Sequence, residues 1–109
     1  MIKLDSERGK LVGFTSNRFE ADSYLWAMPG KIIISFIASK RRGNFRELVR
    51  RIHALGLAVV VPTPLGRMQE IIAKNGYIAS VEYDRDLDEF VELWTLKPPK
   101  PRAKLAVDK

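Results

Sequence analysis

The stretch from Ile32 to Tyr77 constrains the fold more than any other, because it alternates apolar runs with amphipathic ones in a fixed order. Ile32 to Ser39 is an apolar, β-branched run too short for a typical globular helix, which predicts a strand. Its near-continuous apolarity predicts that both faces of the strand are covered. A basic turn, Lys40-Arg41-Arg42-Gly43-Asn44, follows. Then Phe45, Leu48, Val49, Ile52 and Leu55 recur at helical spacing and leave Arg46, Glu47, Arg50 and Arg51 on the other side. Asn44 fits an N-cap, Glu47 its capping-box partner, and Gly56 the stop. Leu57 to Val61 is a second apolar run, entered so soon after the helix that a crossover returning it parallel to the first strand is the expected geometry. Thr63 and Pro64 then read as N-cap and first residue of another helix, with Leu65, Met68, Ile71 and Ile72 as its buried stripe and Gly76 as its end.

The flanks complete a mixed sheet. Residues 1–9 read as an edge strand or a disordered start. Lys10 to Ser16 has strand composition, and Ser23 to Met28 resumes it before the Pro29-Gly30 turn, which predicts an antiparallel meander leading into Ile32. A helix over Phe19 to Met28 is the competing reading, since its apolar residues do not alternate cleanly. Ile78 to Tyr83 and Glu89 to Leu96, separated by the acidic turn Asp84 to Asp88, predict a hairpin. Lys97-Pro98-Pro99-Lys100-Pro101-Arg102 cannot continue a sheet, because three of its six residues lack a backbone donor. The expected organisation is one α+β domain over residues 1–96 with two helices, followed by a basic Pro-rich tail over 97–109.

Composition narrows the function classes. The chain has no cysteine and one histidine among 109 residues, which leaves no thiolate nucleophile and makes a transition-metal site improbable. No apolar segment approaches the ~20 residues that span a bilayer, and Met1 to Arg8 lacks the apolar region of a secretory signal, so a cytoplasmic setting is expected. The net charge of +6 is concentrated: six basic residues and one acid lie between Lys40 and Arg51. A polyanion, either nucleic acid or a phosphorylated cofactor, is therefore a candidate ligand. The plainer reading is a solvated helix face with a basic solubility tail.

The order of elements from Ser39 through Val60-Val61-Pro62-Thr63-Pro64 to Gly76-Tyr77 resembles the cofactor half of the GNAT superfamily, the acyl-CoA-dependent N-acetyltransferases, and is similar to small members of that family found in bacteriophage genomes. In the family a strand leads into a Q/R-x-x-G-x-G/A loop at a helix N-terminus that holds the pyrophosphate of coenzyme A. The resemblance covers roughly residues 32–96. It implies a GNAT-like, mostly antiparallel sheet, acetyl-CoA as cofactor, and a cofactor loop made of Lys40, Arg41, Arg42, Gly43, Asn44, Phe45 and Arg46; the composition already implies no metal. Lys40 takes the glutamine or arginine position, Gly43 the middle glycine, and Phe45 the last small residue. The family's general-acid tyrosine corresponds to Ile72, and the strand from Ile32 to Ala38 offers only Ser35 where a carboxylate base would stand. Two readings follow. One is a small acyl-CoA-binding acyltransferase that relies on positioning. The other is a catalytically silent binding or structural component, cytoplasmic or virion-associated, that meets protein or nucleic acid through Arg42, Arg46, Arg50 and the tail.

Other polar residues have plain readings. His53 lies inside the first helix and reads as a boundary residue. Tyr24 and Tyr77 read as packing residues with a wet hydroxyl. Asp84, Asp86 and Asp88 alternate as in a calcium loop, but Thr95 stands where the distal glutamate is required, which leaves a solvated turn.

Overall fold

The computed structural model describes residues 1–64 and 66–99, and within them three helices and five strands. In chain order these are α1 (Glu7–Leu11), β1 (Tyr24–Met28), β2 (Lys31–Phe36), α2 (Asn44–Ala54), β3 (Ala58–Pro62), α3 (Arg67–Lys74), β4 (Ile78–Asp84) and β5 (Glu89–Leu96). The strands form one sheet in the order β1-β2-β3-β5-β4. Only β2 and β3 are parallel, so the fold is α+β with a mostly antiparallel sheet, as the alternation of apolar and amphipathic segments predicts.

The centre of the sheet is the βαβ unit. Its parallel pairing is short, running from Lys31–Ala58 through Ile32–Val59 to Ile33–Val60 and then stopping. Beyond Ile33, β2 stays paired with β1 while β3 pairs with β5, so the C-terminal ends of β2 and β3 are no longer joined. Helix α2 covers this junction. Leu48 and Ile52 are fully buried, and Phe45 and Val49 pack at the edge of the same core, while Arg46 and Arg50 face out. Leu55, expected on the buried stripe, lies past the helix end and is exposed, because the backbone has already turned: the Gly56 N–H donates to His53 O at 2.8 Å.

The second helix is shorter than its sequence signals suggest. Thr63 does not cap it. Its N–H donates to Glu92 O at 2.8 Å, prolonging the β3–β5 ladder by one residue, and α3 starts only after Gly66. Ile72 is buried in the core and Met68 packs against it; Leu65 lies outside the described residues. The asparagine N-cap of α2 is corrected too. Gly43 holds the cap position at φ 93°, and no side chain bonds the free N–H groups there.

The largest departure is at the N-terminus, where a strand over Lys10 to Ser16 is expected and a helix begins earlier. Ser6 caps α1 by accepting from the Gly9 N–H at 3.0 Å, a local bond that offers this segment an alternative to a sheet ladder. Gly9 is a close-approach residue, since a Cβ there would stand 2.7 Å from Lys3 O. Val12 and Phe14 enter the core from the turn after α1, and the Phe14 and Phe19 rings pack against each other tilted by 43°, with centroids 5.4 Å apart. Burial of apolar side chains produced the strand-like composition without strand pairing. Before α1, Ile2 is buried and makes a single bridge to Leu25 at the β1 edge. Ser23 to Met28 forms a strand as expected, so the meander reduces to one hairpin, β1–β2.

β4 and β5 pair along seven residues, from Ile78–Thr95 to Asp84–Glu89, and bear out the predicted hairpin. The expectation that both faces of β2 are covered holds unevenly, since Val60, paired with Ile33 on the second face, is 2% exposed. Ile32 and Ile34 are buried under the helices, but Ile33 on the opposite face is only half-buried, because the core helices all lie on one side.

Candidate anion-binding cleft

The candidate loop is held from behind by the segment before β1. Glu20 N–H donates to Ala38 O at 2.8 Å, Ala38 N–H to Ser23 Oγ at 3.1 Å, and Lys40 N–H to Arg18 O at 2.8 Å. The Lys40 ammonium donates to Ser16 O at 2.7 Å, so this cation braces the loop. The Asn44 side chain likewise turns away from its own helix and donates to Arg18 O at 2.7 Å. The sequence suggests that Asn44 would consume one of the helix donors. The structure leaves those donors clear.

At the start of α2, the Asn44 N–H makes a long 3.4 Å bond to Arg41 O and the Glu47 N–H makes the first helical bond, to Gly43 O at 3.0 Å. Among the described residues the N–H groups of Gly43, Phe45 and Arg46 meet no acceptor. Free donors at the positive end of an eleven-residue helix are the ordinary physical basis of anion binding. Gly43 faces open space, with nothing within 4 Å of where a Cβ would be.

Three clefts meet at this point, and Arg42 and Gly43 line all of them. One of about 570 Å³ opens toward Asn17, Arg18 and Arg41. A second, about 530 Å³, runs between the end of β2 and α3, with Ile37, Ala38, Met68 and Ile71 as apolar wall and Lys40, Arg41 and Arg67 as basic rim. The third, about 370 Å³, lies between α2 and α3 and is lined by Arg46, Val49, Asn75, Tyr77 and Leu96. Phe45 lines the second and third clefts, and its ring packs against the core. The seven loop residues, Lys40 to Arg46, are therefore brought together, with Lys40 and Asn44 bonded to the segment behind and Arg41, Arg42 and Arg46 exposed.

Glu47, the acid in this basic segment, is neutralised locally. Its carboxylate accepts from Arg50 Nε and Nη2 at 2.9 and 2.6 Å and from Arg51 Nε at 2.7 Å. The bonds to Arg50 first and Arg51 second hold its carboxyl well below the usual range, at about 2. Glu47 is therefore not a capping-box partner, and the charge of Arg50 on the helix face is spent on an intrahelical pair. Arg42 and Arg46 carry no such ion pair among the described residues.

Residues with candidate acid–base roles divide clearly. Ile72, which the resemblance sets at a general-acid position, is buried and its side chain carries no titratable proton. His53 Nε2 sits 3.0 Å from Leu96 O and ties α2 to the end of β5. Asp84 closes a turn by accepting from the Asp86 and Leu87 N–H groups, and Asp88 bonds the Tyr83 hydroxyl. Among the described residues no group of three or more His, Cys, Asp or Glu is placed to hold a metal ion, and no helix is long and apolar enough to cross a membrane. Tyr77 is the site residue that sequence reasoning underrated. It is 7% exposed, lines the third cleft, and burial pushes its phenol up to about 12, so it keeps its proton at any physiological pH. Its place directly after Gly76, at the entry to β4, is the signal that could have found it.

Comparison with family models, curated proteins and solved structures finds no match for this chain.

Proposed function

We propose that the chain is a GNAT-like protein that binds acetyl-CoA or a related phosphorylated acyl carrier at the N-terminus of α2. The observation that carries this reading is the set of free N–H donors at Gly43, Phe45 and Arg46, opening into clefts rimmed by Arg41, Arg42 and Arg67. Pyrophosphate oxygens would take those donors, with Arg41 and Arg42 supplying charge-assisted bonds. The acyl arm would run along Ile37, Ala38 and Met68, where β2 and β3 cease to pair. Any transfer to an amine would rest on positioning and on backbone donors to the thioester carbonyl, since Ile72 and Ser35 supply neither acid nor base.

Thermal denaturation tests this reading. Acetyl-CoA at a hundredfold over its Kd contributes ~2.7 kcal/mol and raises the melting temperature by about 11–22 °C in a domain near this size. Pantetheine, which lacks the pyrophosphate, should produce no comparable shift. An unchanged melting temperature at saturating acetyl-CoA refutes the cofactor reading.

Ile72 and Ser35, standing where an acid and a base would be needed, favour a second reading, a silent member of the same fold that contacts protein or nucleic acid through Arg42, Arg46 and the tail. Binding to duplex DNA would then weaken steeply with salt. Salt-independent binding by the chain lacking residues 97–109 counts against it.

A further inference from the structure

We propose that the helix-free face of the sheet is the interface of a symmetric dimer, its occupant a second copy of this chain. Strand alternation with the observed register places Trp26, Met28, Ile33, Leu93 and Ile78 on that face, around Val60, which is already buried at 2% exposure. Trp26 is 43%, Met28 47% and Ile78 70% exposed. An antiparallel sheet with one face in water normally alternates apolar inward and polar outward. Here β1, β2 and β3 read YLWAM, KIIISF and AVVVP, apolar in both phases, so the sequence is written for a sheet covered twice. The core helices cover it once.

The chemistry of the face selects the occupant. The charged side chains that alternate onto it, Lys31, Glu82, Asp84 and Glu89, lie at its margins, at the start of β2 and toward the hairpin tip. A polyanion finds no cation cluster there, and the basic tail finds no acids at the centre of the face to pair with. A neutral apolar surface is complementary to itself, and a chain of net charge +6 associates best through the patch that carries little of that charge. The size is also suitable. Five strands at ~4.8 Å spacing and ~20 Å length give a plan area on the order of 500 Å², or about 1,000 Å² over both partners, the lower bound of a specific interface. The two sheets would pack face to face at about 30°, as in a sandwich.

The test is the solution mass of the full chain by light scattering and sedimentation equilibrium at ~100 µM, well above a micromolar Kd. Twice the 12.4 kDa of one chain is expected. Trp26→Glu and, separately, Ile78→Lys should weaken association roughly tenfold or more, as truncated interface anchors do, while the circular dichroism spectrum is retained. Ile78 is so exposed that its variant folds even if that of Trp26 does not. Phe90→Glu, which changes the opposite face of the hairpin, and deletion of residues 100–109 should leave the dimer intact. A monomeric wild-type chain, dimers that persist in both face variants, or dimers lost only on deleting the tail would each overturn the proposal.

Discussion

Gly43 offers two substitutions that separate the backbone demands of the candidate site from its charge. The residue sits at φ 93° with open space around it, so an added methyl meets nothing and the cost of Gly43→Ala is confined to the left-handed backbone. That cost is about 1–2 kcal/mol, and each kcal/mol lowers the melting temperature by about 4–8 °C in a domain near this size. Gly43→Glu carries the same backbone cost and adds a carboxylate beside the free N–H donors. At ~4 Å and an effective dielectric of ~20, its repulsion of a bound phosphate charge approaches 4 kcal/mol before salt screening. Screening at a surface site removes much of that, which leaves a tenfold to hundredfold loss of acetyl-CoA affinity, ~1.4–2.8 kcal/mol. Thermal melts report the first quantity and calorimetric titration the second. Gly43→Ala should be less stable yet retain most of its affinity, whereas Gly43→Glu should be similarly destabilised and bind weakly. Equal affinities for the two variants would show that no anion rests on the α2 N-terminus, and an unchanged melting temperature for Gly43→Ala would refute the strain argument.

Three further outcomes follow from the structure. Ile52→Ala, which empties a fully buried position beneath α2, should cost about 2–5 kcal/mol in denaturant unfolding; a loss under 1 kcal/mol would mean the α2 contact is loose. The Trp94 indole N–H is buried and has no acceptor among the described residues, so Trp94→Phe, which removes that orphan donor, should destabilise far less than the ~3–5 kcal/mol typical of Trp→Ala. Glu47 titrates near 2 because it is bonded to Arg50 and Arg51. A carboxyl depressed on folding stabilises above its unfolded pKa of ~4.3 and loses that contribution as pH falls toward the folded value. Carbon-detected NMR should therefore show Glu47 ionised down to about pH 2 in the wild type and titrating in the ordinary range in Arg50→Ala/Arg51→Ala; a normal wild-type titration would mean the fork is not formed in solution.

The elements legible in the sequence were those specified by a single strong signal. The β2–α2–β3 unit and the β4–β5 hairpin were readable because apolar periodicity and glycine stops agreed on them. Around Lys10 to Ser16 the same apolar composition is spent on insertion into the core from a turn, and the Ser6 cap that decides the outcome lies upstream of the apolar residues. Capping chemistry misled in a similar way at two helix starts. Asn44 bonds Arg18 O and Thr63 bonds Glu92 O, partners remote in sequence that outcompete the local cap. The basic loop is legible in the sequence as a run of cations, but the N–H donors left free because Asn44 is engaged elsewhere depend on that long-range bond. The pairing of Glu47 with Arg50 and Arg51 follows helical spacing and could have been anticipated. The second face of the sheet is the opposite case: the sequence reads as twice covered, and only the placement of the helices reveals which side they leave, with Trp26, Met28 and Ile78 exposed there.

Calorimetric titration of the wild-type chain with acetyl-CoA, beside pantetheine and inorganic pyrophosphate, tests the central claim most directly. Saturable heat with one site per chain for acetyl-CoA, weaker binding of pyrophosphate and none of pantetheine are the expected results. No heat and no competition from either phosphorylated ligand would contradict the account and leave the α2 N-terminus an ordinary solvated helix start.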